Sequence, residues 1–71
     1  MTDETIAILR IIARKSPYVG EVAKQTIQAI ENNSPTNIQA RLNYCAHGAL
    51  GDPGASFTPE ERKKIEGLML I

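Results

Sequence analysis

The stretch Asn32–Arg62, NNSPTNIQARLNYCAHGALGDPGASFTPEER, decides the fold, because two hydroxyl-proline pairs, Ser34-Pro35 and Thr58-Pro59, flank a glycine-rich break. A hydroxyl side chain caps the free N–H groups at a helix start, and proline suits the first turn, where its missing N–H is no loss. The stretch therefore predicts a helix over about 35–48, a loop through GALGDPGAS, and a further helix over about 58–70. Glu61, three residues after Thr58, completes a capping box, and Glu60 and Glu61 complement the dipole of that helix. Gly48 or Gly51 is expected to close the preceding helix in a left-handed conformation.

The same punctuation extends toward the N-terminus. Ser16-Pro17 predicts a helix over about 17–32, and Thr2 or Asp3 caps ETIAILRIIARK as a helix over about 3–14. IAILRII is β-branched enough for a strand, but its alanines and the spacing of Arg10 and Arg14 favour the helix. The chain reads as all-α, a compact four-helix domain spanning 1–71, with short connections that suggest an orthogonal or irregular bundle.

Three helices are apolar on one face. Val19, Val22, Ala23, Thr26, Ile27 and Ile30 form the stripe of the second, and Ile38, Leu42, Cys45 and Ala49 that of the third. The fourth offers Ile65, Leu68 and Met69, with Phe57 packing from the loop before it. The first helix differs, since Ile6, Ala7, Ile8, Leu9, Ile11, Ile12 and Ala13 surround most of its circumference. It is expected to lie either at the centre of the bundle or against another subunit, with Ile8, Ile11, Ile12, Leu70 and Ile71 at an oligomer interface.

Composition narrows the function. Eight basic and eight acidic residues give zero net charge, and no segment forms a basic patch, so the long-range attraction behind most nucleic-acid binding is absent. The longest apolar run, IAIL, is far below the roughly 20 residues of a spanning helix, and no signal peptide precedes Asp3 and Glu4. A single cysteine fits a reducing, cytoplasmic compartment.

Chemistry is sparse. Cys45 and His47 stand two positions apart, about 200° around a helix, so they diverge and share neither a proton nor a metal. The glycine-rich loop lacks a P-loop lysine and leads into Glu60 and Glu61, which oppose an anion. No enzyme, metal or cofactor is expected. Amides are abundant instead, and Gln28, Asn32, Asn37, Gln39, Arg41, Asn43 and Tyr44 are the candidate binding residues.

These features point to a small non-enzymatic binding or regulatory protein acting through protein–protein contacts and self-associating, of the inhibitor, adaptor or accessory kind that phages and mobile elements encode. The alternative is a dimeric helix-turn-helix DNA-binding regulator reading bases with the helix over 35–48, although the helix before it is long and the turn lacks the usual glycine. A small ligand held between subunits is compatible with either reading, and a membrane partner is not expected.

Overall fold

Opposite charges at its two ends favour the first helix. Helix α1 (Asp3–Lys15) begins on Asp3 and Glu4 and ends on Arg14 and Lys15, each pair complementing the dipole. The computed structural model describes residues 3–69, and three further helices follow: α2 (Gly20–Glu31), α3 (Ile38–Leu50) and α4 (Pro59–Leu68). No strand occurs among the described residues, so the all-α fold expected from the hydroxyl-proline pattern is the observed one.

Of the three hydroxyl-proline pairs, Thr58-Pro59 starts a helix directly. Thr58 Oγ1 accepts from the Glu61 N–H at 3.1 Å while Glu61 Oε1 accepts from the Thr58 N–H at 2.9 Å, a complete capping box. The other two pairs correct the sequence reading. Ser34 does not open α3, because it completes the C-terminus of α2: the Ser34 N–H reaches Ala29 O at 3.0 Å, the Asn33 N–H reaches Ile30 O at 3.3 Å, and Asn33 takes φ 51 between them. That pattern is a Schellman end with asparagine in the position glycine usually takes. The chain then needs a new cap, and Asn37 supplies it, its Oδ1 accepting from the Ala40 N–H at 3.1 Å.

Ser16 likewise holds a turn instead of a helix start. Its Oγ accepts from the Val19 N–H at 3.2 Å, and α2 begins only at Gly20. Gly48 also departs from expectation, since it lies inside α3 and not at its end. The capping position is Gly51 at φ −93, and no described glycine is left-handed. Gly48 is needed for space, because a Cβ there would overlap Cγ1 of the buried Val19.

The core unites Ile8, Leu9 and Ile12 of α1, Val19 and Ala23, Leu42, Cys45, Ala46 and Ala49 of α3, and Ile65 and Leu68 of α4. Phe57 and Met69 pack on it from its edge, as their positions predicted. Helices α1 and α3 each touch the other three, whereas α2 and α4 do not meet, so the central position expected for the first helix is shared with α3. Ile8 and Ile12 must accordingly be withdrawn from an oligomer interface. At 7% and 0% exposed they belong with Thr5 and Leu9 to the face of α1 turned inward. Ile11 is half-buried, and Leu70 and Ile71 lie outside the described residues.

A polar clasp binds the loop between α3 and α4 to the turn between α1 and α2. Asp52 Oδ2 accepts from Ser16 Oγ at 2.6 Å and from the Tyr18 N–H at 3.2 Å, while Oδ1 accepts from the Gly54 N–H at 2.8 Å. Lys15 Nζ donates to Glu61 Oε1 at 2.8 Å and to Ser56 O at 3.2 Å. The Ser16 hydroxyl is the largest influence holding the Asp52 carboxyl below its ordinary range, and Lys15 does the same for Glu61. Carboxyls lowered on folding stabilise the native state above the unfolded value of about 4, and that contribution is lost as pH falls through the folded value. Thermal melts are thus expected to weaken below about pH 4, with Asp52→Asn less stable than the parent near neutrality and the gap closing toward about pH 2. A gap independent of pH would show that the Asp52 charge does not stabilise the clasp.

Candidate protein-docking groove

The candidate surface begins beside a close contact between α1 and the start of α2. A Cβ on Gly20 would stand 3.0 Å from Ala13 O, so glycine lets the start of α2 approach the α1 backbone. Beside this contact the short side chains of Ala7 and Ala13 leave the space between the helices unfilled. An open groove of about 670 Å³ results, lined by Ala7, Ile11, Ala13 and Ile27 together with Arg10, Arg14 and Lys24.

Its composition is that of an apolar floor with cationic edges. Ile11 and Ile27 are half-buried, while Arg10, Arg14 and Lys24 are exposed. Arg10 has one loose partner, Glu31 at 3.9 Å, with both side chains more than half exposed. Arg14 and Lys24 have no hydrogen bond or ion pair among the described residues. Counting Glu31, the groove carries a net charge of +2 on a chain whose total is zero. A smaller hollow of about 290 Å³ lies at the α2–α3 corner, against Ala29, Ile30, Asn33, Ser34 and Ile38.

Several of the amide and neighbouring side chains singled out from the sequence are engaged within the fold. Asn37 caps α3, Gln39 Nε2 donates to Asn43 Oδ1 at 2.9 Å and to Leu68 O at 3.2 Å, and Arg41 Nε donates to Thr36 Oγ1 at 3.1 Å. These bonds tie α3 to its own start and to the end of α4. Gln28, Asn32 and Tyr44 are exposed, Tyr44 at 55%. None of the seven lines the groove, whereas Ile11, placed at an interface from the apolar pattern, does.

The groove's other residues were obscured by plausible core assignments. Ile27 packs against the core, as the stripe of α2 predicts, and its remaining half-exposed surface also lines the groove. The signal available in the sequence was Arg10 and Arg14 at i, i+4 flanking Ile11, with alanines at 7 and 13 too small to fill the space beside it.

The candidate nucleophile is placed as helical geometry requires. Cys45 is buried and His47 exposed on the next face. Burial pushes the Cys45 thiol above its ordinary range, outweighing the lowering effects of Thr26 and Arg41, so the protonated, weakly nucleophilic form is favoured. Thr26 Oγ1 lies 3.8 Å from its sulfur. No cluster of three His, Cys, Asp or Glu side chains suited to a metal occurs among the described residues, and no described helix is long and apolar enough to cross a membrane. Compared with known proteins, the sequence matches no family model and no curated protein, and the fold matches no solved structure.

Proposed function

We propose that the chain is a small, non-enzymatic binding protein that works through protein–protein contact, with the α1/α2 groove as its contact surface. One observation supports this reading above the others: half-buried Ile11 and Ile27 border a hollow that the chain's own side chains leave open. Apolar surface that is concave and edged by charge gains from desolvation when a complementary surface covers it. A regulatory, adaptor or inhibitor role follows from such a surface without any reacting group. Self-association is one way to cover it.

The test uses the intact, isotope-labelled chain and a generic amphipathic helical peptide with a leucine face and glutamine flanks. Addition of the peptide is expected to shift the amide resonances of Ala7, Ile11 and Ile27 while leaving those of α4 in place, and a dilution series of the protein alone tests self-association at the same positions. Ile27→Asp, which puts a charge on the groove floor, is expected to abolish the response while circular dichroism stays helical. If neither peptide nor self-association perturbs these positions up to about millimolar concentration, where affinity is only about 4 kcal/mol, the protein-contact reading fails.

A further inference from the structure

We infer that the partner of this groove is an acidic amphipathic helix, one that sets an apolar stripe between carboxylates spaced three or four residues apart. The inference rests on the protein-contact reading and adds the chemistry of the occupant. Arg10 and Arg14 project from successive turns of α1, about 6 Å apart along the axis, and Lys24 faces them from α2. Carboxylates at i and i+4 of a helix have that same spacing, so a helix lying along α1 presents them in register with the two arginines. The part of α1 exposed along the groove, Ala7 to Arg14, covers two turns, which matches two successive apolar side chains of an incoming helix over Ile11 and Ile27.

Electrostatics argue against a second copy as the occupant. Two identical grooves set face to face bring six lining cations together, and the Glu31 of each copy already has Arg10 as a neighbour. Arg14 and Lys24 of each copy would lose water against a surface lined by the same cations. An acidic helix supplies the opposite charges, and the loose 3.9 Å Arg10–Glu31 contact leaves Arg10 free to take a second carboxylate. It also selects against basic partners, since the same three cations repel them.

Three peptides with the same leucine face, carrying glutamate, glutamine or lysine at the flanking positions, are titrated into the intact chain with the Ala7, Ile11 and Ile27 resonances as readout. The glutamate peptide is expected to bind about tenfold tighter than the glutamine peptide, three exposed ion pairs being the difference, and the preference shrinks as salt is raised. Arg14→Gln with Lys24→Gln, both at exposed positions, is expected to reduce that preference to about twofold, and a preference that stays about tenfold overturns the acidic partner. Equal binding of glutamate and glutamine peptides overturns the acidic partner while the protein-contact reading stands. Binding of none of the three, with the protein monomeric, overturns both. Concentration-dependent dimerisation mapped to Ile11 and Ile27 replaces the acidic helix with a second copy, and stronger binding to vesicles of anionic lipid than to the glutamate peptide replaces it with a membrane surface.

Discussion

Leu42→Ala is expected to leave a large share of the molecules unfolded at room temperature. Leu42 is fully buried on α3, one of the two helices that touch all the others, and it shares the core with Leu9, Ile12, Ile65 and Leu68. Truncating a buried leucine costs about 2–5 kcal/mol through lost transfer energy and the cavity left behind. A single core in a chain of this length supplies only about 3–5 kcal/mol in all, and the lone cysteine provides no cross-link to add to it. Urea melts followed by circular dichroism measure the effect. A loss below about 1 kcal/mol would mean that the site collapses around the truncated side chain and that Leu42 is not a keystone of the packing.

Gly48→Ala is expected to destabilise the fold although alanine is the better helix former. In the middle of an exposed helix the exchange would gain about 1 kcal/mol. Here the new Cβ overlaps Val19 Cγ1, and Val19 is only 1% exposed, held in the turn that Ser16 and Asp52 fix. Relieving the overlap means moving α3 away from that turn, an overpacking cost of about 1–3 kcal/mol that exceeds the propensity gain. The decisive measurement is the same exchange in a Val19→Ala background. There the obstacle is gone, so the sign is expected to reverse and Gly48→Ala to stabilise by up to about 1 kcal/mol relative to Val19→Ala alone. Additive effects of the two substitutions would place the role of Gly48 elsewhere.

The helical class and the rough element boundaries were legible because they depend on local chemistry. Thr58, Glu61 and Pro59 act within one turn, so their reading needed no tertiary knowledge. Ser16 and Ser34 misled because their bonding is decided by groups beyond the capping pattern: Asp52 receives the Ser16 hydroxyl, and Ser34 closes α2 through Ala29. Gly48 looked like a helix end for a similar reason, since nothing local reveals that Val19 packs against it. The α1/α2 groove was the least legible feature. Its cations and isoleucines come from two helices, and only the close approach at Ala13 and Gly20 brings them to one surface.

The clasp also orders the folding of the chain in time. The bonds that cross it join residues 34 to 46 positions apart, such as Tyr18 with Asp52 and Lys15 with Glu61, whereas α1 and α2 meet across a turn of four residues. Loop closure makes distant pairs entropically slower to bring together, so the α1/α2 hairpin is expected to form before the clasp. Bonds formed after the rate-limiting step act mainly on escape from the native state, so Asp52→Asn is expected to speed unfolding more than it slows folding, as stopped-flow mixing would measure. The groove draws its lining from α1 and α2 alone, so substitutions in the clasp are expected to change how long the native state persists without altering the groove's own residues.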